Sequence, residues 1–200
     1  MKFYKLLFVV FLLSQLCTKE SLSANTVLND KLPIYNIKKL TNELVVNGGL
    51  EEGRPDFGSW NVYPEIIGWH LAFGPGIEVQ NNVAGAPYDG DAFVELDSHG
   101  SSGIYQLINT KKDHSYKISF AFAARAGSSP EDNIVDVLWD GRRVALIQQK
   151  SSKWRVYSFI LKASSDLTWI EFQDKGFSNG LGSYLDRVSV VEILNPNFSK

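Results

Sequence analysis

The chain has 200 residues, of which 44% are hydrophobic, 21% charged and 12% aromatic. This apolar content is enough to build a core, so it excludes a wholly disordered chain, and the length fits about one domain. The formal net charge of −2 gives no reason to expect nucleic-acid binding. The single cysteine excludes a disulfide-stapled scaffold and a cysteine-rich zinc site.

The N-terminal segment has the order of a secretory signal peptide. Lys2 and Lys5 precede a mostly apolar run over residues 6–16, and small residues up to Ala24 provide a cleavage site. The run is shorter than the ~20 residues that a membrane-spanning helix needs. We therefore predict a signal peptide over residues 1–24 and secretion to the extracellular space, the cell wall or the periplasm. The alternatives are an uncleaved anchor and lipidation of Cys17, which follows the bulky Leu16.

After this segment the chain divides by its hydrophobic pattern. Residues 25–41 have no clear period and are interpreted as a leader or linker, and residues 196–200 as a C-terminal tail. Between them, over residues 42–195, apolar side chains recur with a period of two, which is typical of strands with one wet face. The predicted strands are 44–47, 68–73, 76–80, 92–97, 103–109, 116–122, 134–139, 142–147, 154–160, 167–172 and 184–193.

These short strands predict an all-β protein. Turn residues separate them, and Asp140-Gly141 lies between two β-prone runs, which is a strong signal for a hairpin. Strands in which apolar and polar side chains alternate are expected to pair antiparallel. Many short strands at this spacing favour a β-sandwich of the jelly-roll type. The pattern contains no amphipathic helix longer than two turns and no second apolar run long enough to cross a membrane.

Two motifs near the ends of this region carry oxygen ligands. The first is Asn47-Gly48-Gly49-Leu50-Glu51-Glu52-Gly53, and the second is Tyr184-Leu185-Asp186-Arg187-Val188-Ser189-Val190. Glycines let a loop turn tightly and expose its carbonyls, and a neighbouring carboxylate makes such a loop suitable for Ca²⁺. Between them lie Ile67-Gly68-Trp69, Gly76-Ile77-Glu78-Val79-Gln80, Phe93-Val94-Glu95-Leu96-Asp97, Ile104-Tyr105-Gln106 and Ala124-Arg125-Ala126-Gly127.

In this order the motifs resemble the galactose-binding-like jelly-roll domains over residues 42–193. That family includes secreted carbohydrate-binding modules, plant cell-wall proteins built from tandem domains, and bacterial secreted single-domain relatives. The resemblance implies a structural calcium held by Glu51 and Asp186, with Asp91 and backbone carbonyls around Gly49 and the Asp89-Gly90-Asp91 turn completing the site. Arg187 stands where these modules often carry a second Asp, which removes one ligand. The alternative is that Glu51 is a surface carboxylate and Asp186 caps a turn.

A set of acidic residues is the second candidate site. Glu95 and Asp97 lie two apart on a strand and share a face, and Glu78 has the same setting on another strand. Carboxylates accept hydrogen bonds from sugar hydroxyls, and Arg125 can donate to a sugar or to the carboxylates. Paired carboxylates also hydrolyse glycosides, but the third carboxylate that jelly-roll glycosidases show after such a pair is missing here.

Aromatic residues cluster between positions 60 and 73. Trp60 and Tyr63 lie beside Pro64 in a predicted loop, so they are candidates to stack on a sugar ring, with His70 close by in sequence. Trp69 follows an apolar pair and is expected in the core. The three later tryptophans lie in alternating strands and are also expected in the core: Trp139, Trp154 and Trp169.

Together these observations predict a secreted, non-catalytic, glycan-binding β-sandwich with a structural calcium. The candidate ligand-binding residues are Trp60, Tyr63, His70, Glu78, Glu95, Asp97 and Arg125. The expected partner is a polysaccharide or other glycan and not a nucleic acid, while the oligomeric state is left open. The alternatives are a protein-binding adhesion or structural domain, because one fold hosts both functions, and a secreted glycoside hydrolase.

Overall fold

The computed structural model describes residues 42–193, so the predicted signal peptide, the leader and the C-terminal tail lie outside the described residues. Within them the chain forms twelve strands and a 3-10 turn at Pro130–Asp132. No helix among these residues has the length and apolar character that a membrane crossing requires. The strands are β1 (Ser59–Tyr63), β2 (Glu65–Ile66), β3 (Trp69–Phe73), β4 (Ile77–Asn81), β5 (Ala92–Glu95), β6 (Gly103–Asn109), β7 (Ser115–Ala123), β8 (Ile134–Trp139), β9 (Arg142–Gln148), β10 (Arg155–Lys162), β11 (Leu167–Asp174) and β12 (Tyr184–Glu192).

The strands form two six-stranded sheets, and every strand pair is antiparallel. Sheet A has the order β1-β4-β5-β12-β7-β10, and sheet B has the order β2-β3-β6-β11-β8-β9. Both orders contain neighbours distant in sequence, such as β5 beside β12, so the last strand of the chain lies in the middle of sheet A. The predicted all-β antiparallel sandwich is confirmed.

The two sheets share one hydrophobic core. Trp69 of sheet B and Phe120 of sheet A are fully buried, and Phe120 packs edge-to-face on Phe172 of sheet B at 4.9 Å between ring centroids. Aromatic pairs of this geometry add to the free energy gained by burial. The inward positions of each strand therefore form the core, which leaves the outward positions of sheet A for other roles.

The first predicted strand, at residues 44–47, is wrong. Residues 46–49 form a turn in which Asn47 has a positive φ of 51°, and Leu50, the next residue after the turn, has one of 63°. Asn47 stabilises the turn because its side chain accepts a hydrogen bond from the Glu52 amide, while its carbonyl accepts one from the Trp69 indole. The hydrogen bonds of Asn47 therefore stabilise a turn where the apolar residues before it had predicted a strand.

Two short strands were not predicted. Residues 59–63 form the edge strand β1, in which Trp60 pairs with Gln80 of β4, although the nearby Pro64 indicates a loop. Proline is tolerated here because the strand ends before it and lies at the sheet edge.

The predicted Asp140-Gly141 hairpin is confirmed, since both residues have a positive φ and connect β8 to β9.

Candidate functional site

The outward face of sheet A gathers polar side chains in rows. Glu78 of β4 lies opposite Glu95 of β5, and Glu95 lies opposite Tyr184 of β12. Residues in register on neighbouring strands point to the same side, so these three side chains form one row. Trp60 lies opposite Gln80 in the next row on the same face.

Hydrogen bonds connect the two glutamates to an arginine. One terminal nitrogen of Arg125 donates to the two carboxylate oxygens of Glu95 at 2.5 and 2.6 Å. The amide nitrogen of Gln80 donates to Glu78 at 2.5 Å and to Glu95 at 3.0 Å. The Gly182 amide donates to Glu95 at 2.9 Å. We name Glu78, Gln80, Glu95 and Arg125 the acid–arginine site.

The carboxyl groups of this site are deeply buried. Glu78 is 5% exposed and Glu95 is 1% exposed. Burial raises the pKa of Glu95 to about 7, with a further contribution from the charge of Glu78, although the Arg125 hydrogen bond acts in the opposite direction. Burial likewise raises the pKa of Glu78, against a hydrogen bond from Gln80 that lowers it. Both carboxyl groups therefore hold a proton more readily than an exposed glutamate does.

An exposed tryptophan lies at the margin of the acid–arginine site. Trp60 is 47% exposed and packs edge-to-face against His99, with ring centroids 6.1 Å apart. His99 is itself exposed and near enough for its charge to lower the pKa of Glu78 against the larger effect of burial. A half-exposed indole next to buried hydrogen-bonding groups offers an apolar platform and polar contacts together.

The structure brings together four of the seven predicted ligand-binding residues: Trp60, Glu78, Glu95 and Arg125. Asp97 is fully buried, and one of its oxygens accepts hydrogen bonds from the Asn179 and Gly180 amides. It therefore holds a loop and does not face the platform.

The structure does not bring Tyr63 and His70 to Trp60. Tyr63 lies opposite the buried Ile77 and packs against the core, so it faces inward. His70 belongs to sheet B, where its ring lies 3.5 Å from the Glu65 carboxylate and packs at a tilt against Tyr105, with ring centroids 5.5 Å apart. Tyr63 and His70 line a separate open hollow of about 470 Å³.

Three residues around the acid–arginine site were not predicted from the sequence: Gln80, Tyr184 and His99. Gln80 follows Glu78 by two positions, so the period-two pattern could have found it. Tyr184 and His99 reach the site through long-range pairing and a loop, for which the sequence has no local signal. The expectation for Trp169 is wrong, because this residue is 42% exposed on the outward face of sheet B opposite Leu107.

The predicted calcium residues meet at one loop. Glu51 accepts hydrogen bonds from the Asp91 and Ala92 amides at 2.8 and 3.0 Å. Asp186 accepts them from the Tyr88 and Asp89 amides at 2.8 and 3.1 Å. The two carboxylates thus hold the 88–92 loop from both ends.

Among the carboxylates at this loop, Asp186 lacks a positively charged partner. It is fully buried, and it makes no ion pair with a Lys, Arg or His within residues 42–193. Burial is the main cause that raises its pKa to about 7, with a smaller contribution from the charge of Glu51, while hydrogen bonds from backbone amides act in the opposite direction. Arg54 pairs with Asp91 at 3.0 Å and with Glu51 at 3.3 Å, so the chemistry of the loop fits a cation best at Asp186.

Comparisons with known proteins identify the family. The sequence profile described as "Protein of unknown function (DUF642)" matches residues 60–191, which run from β1 to β12 and include the acid–arginine site. The chain belongs to the DUF642 family. This DUF642 chain is also 32% identical over 148 residues, or 72% of its length, to the multifunctional-autoprocessing repeats-in-toxin proteins of Vibrio vulnificus and Vibrio cholerae. It spans only 3% of the length of those toxins.

A solved structure shares the fold. An arabinose-bound GH51 α-L-arabinofuranosidase superposes with a TM-score of 0.55 at 17% identity, over 75% of the DUF642 chain and 26% of the enzyme. This likeness agrees with the antiparallel jelly-roll sandwich predicted from the sequence. The CBM22-1 xylan-binding domain of Paenibacillus barcinonensis gives a TM-score of 0.48 at 15% identity, over 71% of this chain and 97% of that domain.

Proposed function

We propose that this DUF642 chain binds a glycan at the acid–arginine site, with Trp60 as the stacking platform. The observation that carries the proposal is the half-exposed indole of Trp60 beside a buried, hydrogen-bonded pair of carboxyl groups on the outward face of sheet A. The apolar face of a sugar ring stacks on an indole, while its hydroxyls donate to carboxylates and accept from amides and guanidinium groups. The polysaccharide of a cell wall or matrix is the expected partner of a secreted protein of this kind.

The geometry of the glutamates favours binding without hydrolysis. Gln80 bridges Glu78 and Glu95, and Glu95 accepts three further hydrogen bonds, two from Arg125 and one from the Gly182 amide. A carboxylate has about four acceptor positions, so these donors occupy Glu95. Because both carboxyl groups of a glycosidase must act on the sugar, we propose a non-catalytic role.

A structural calcium belongs to the same proposal. Glu51 and Asp186 would hold the ion together with carbonyls near the 88–92 loop, in the oxygen-rich setting that Ca²⁺ prefers. The bound ion supplies positive charge between two carboxylates. The turn at residues 46–49 would thereby be tied to β12 and to the loop between β4 and β5.

A glycan array tests the proposed function with two tryptophan variants of the purified chain. Trp60→Ala is expected to lose at least tenfold in affinity for every glycan that the wild type binds, because the platform is removed. Trp169→Ala is the matched control, since it removes an indole of similar exposure from sheet B. Equal binding by Trp60→Ala and the wild type would contradict the proposal. Loss of binding in Trp169→Ala alone would show that the glycan binds on sheet B.

A further inference from the structure

Buried oxygen atoms without partners concentrate at one end of the sandwich. Within residues 42–193, four side-chain oxygens of this kind lie in two segments. Two of them directly follow β5, and the other two lie at the end of β11 and just before the start of β12. They are Asp97 Oδ1, Ser98 Oγ, Asp174 Oδ2 and Ser183 Oγ. All four residues are more than nine-tenths buried. Buried polar groups are almost always hydrogen-bonded or bound to a ligand, so this concentration calls for a partner.

Backbone hydrogen bonds hold these segments side by side. The Leu96 amide donates to the Ser183 carbonyl at 3.0 Å, and the Ser102 amide donates to the Leu96 carbonyl at 2.8 Å. The Asp174 amide in turn donates to the Ser102 carbonyl at 2.9 Å. Gly182 also lies so close that a Cβ there would be 2.6 Å from the Cβ of Asp97. The four oxygens therefore belong to one small region of the fold.

The remaining oxygens of the two aspartates are already occupied. Asp97 Oδ2 accepts hydrogen bonds from the Asn179 and Gly180 amides at 2.8 and 3.0 Å. Asp174 Oδ1 accepts one from the Gly176 amide at 3.2 Å. Neither carboxylate makes an ion pair with a Lys, Arg or His of the described segment.

The negative charge of Asp97 acts on Asp174. Burial is the main cause that raises the pKa of Asp174 to about 6, with a smaller contribution from Asp97, while hydrogen bonds from the Ser101 side chain and the Gly176 amide act in the opposite direction. Two neighbouring buried carboxylates without a counter-charge are unfavourable unless a cation or a proton neutralises them. One Ca²⁺ can contact carboxylate, hydroxyl, carbonyl and water oxygens together in flexible arrangements, whereas one proton can link the two carboxylates but supplies nothing to the serine oxygens.

We propose that a hard divalent cation, with Ca²⁺ as its probe, binds between Asp97 and Asp174, where the hydroxyls of Ser98 and Ser183 supply further oxygens. This site is separate from the one proposed at Glu51 and Asp186. It fastens the loop over residues 176–183 to the end of β5. Because the Gly182 amide of that loop donates to Glu95, the cation also holds one wall of the acid–arginine site.

Counting bound calcium by native mass spectrometry tests this site. The purified chain is stripped with a chelator and titrated with Ca²⁺, alongside Asp174→Asn and Asp186→Asn. Asp174→Asn is expected to bind one calcium fewer than the wild type, and Asp186→Asn is expected to keep the ion that Asp174→Asn loses. Glycan binding is not needed for this readout, so it can fail or succeed independently of the proposed function.

A second variant separates loss of the ion from loss of the fold. Ser183→Ala removes one neutral oxygen and is expected to weaken the same binding step severalfold without changing the number of ions. Far-UV circular dichroism checks that each variant is folded. A wild-type chain that binds no calcium, or an Asp174→Asn chain that is folded and binds as many ions as the wild type, would overturn the proposal and leave a proton or water as the partner of these oxygens.

Discussion

Replacing Arg125 with methionine is expected to lower the free energy of unfolding by about 3 kcal/mol at pH 8, because the buried Glu95 carboxylate loses its cation. This value lies at the lower end for a broken buried pair, since the arginine side chain keeps 25% exposure and water screens it in part. At pH 5 the loss should be smaller. The pKa of Glu95 is already raised to about 7 with the arginine present, so without it the group takes up a proton at pH 5. Urea unfolding at the two pH values measures both losses.

Two further variants complete this experiment. Glu95→Gln combined with Arg125→Met should recover most of the stability at pH 8, because no buried charge is left unpaired. Lys162→Met is the control, since it breaks the pair with Asp113 in which both side chains are more than half exposed, and no measurable change is expected. Equal losses in Arg125→Met and Lys162→Met would show that Glu95 is not held by its arginine.

In a chelator, the free energy of unfolding is expected to fall as the pH rises from 5 to 8. Burial raises the pKa of Glu95 and of Asp186 to about 7 each, and that of Asp174 to about 6. These groups are protonated in the folded chain at a pH where the unfolded chain has already released its protons. The folded state then binds more protons, so the contribution of these three groups to stability is complete below about pH 4 and is lost as the pH passes the folded pKa values. Each unit of difference in pKa corresponds to roughly 1.4 kcal/mol.

Calcium should reduce the fall in the free energy of unfolding between pH 5 and pH 8. An ion beside Asp186 or Asp174 stabilises the charged carboxylate, and a ligand that binds only the folded state raises its stability. Thermal melting should therefore shift upward with Ca²⁺ far more at pH 8 than at pH 5. Glu192 and Asp113, whose pKa values are lowered by His114 and by Lys162 respectively, act in the opposite direction but only below about pH 4.5. A stability that is constant or rises between pH 5 and 8 in chelator would contradict this expectation, as would a melting temperature unchanged by Ca²⁺.

The strands of the sandwich were predictable wherever side chains alternate with one wet face. The hairpin at Asp140-Gly141 could be placed because its turn residues act locally. The segment at 44–47 and the edge strand β1 could not, because the turn depends on contacts from Asn47 to Ile67 and Trp69, and β1 depends on pairing with β4. Contacts between residues distant in the chain produce no periodic hydrophobic pattern from which they could be predicted.

The types of side chain in the site could be predicted from the sequence better than the particular residues that lie together. Glu78, Glu95 and Arg125 were chosen for their residue type, and the pairing of β4 with β5 brings the two glutamates together. Tyr63 was grouped with Trp60 as a loop residue. In a strand, however, the odd spacing between them places the two on opposite faces. The exposure of Trp169 depends on which face of sheet B packs on sheet A, which its own strand does not specify.

Nuclear magnetic resonance of the tryptophan indoles tests most directly whether a glycan binds at Trp60. The chain has five tryptophans, so ¹⁵N-tryptophan labelling gives five indole signals that single substitutions assign. A glycan selected on the array is titrated in, and the Trp60 indole is expected to show the largest shift while Trp69, Trp139 and Trp169 stay in place. A largest shift at Trp169, or a saturating titration that leaves Trp60 unmoved, would contradict glycan binding on the outward face of sheet A.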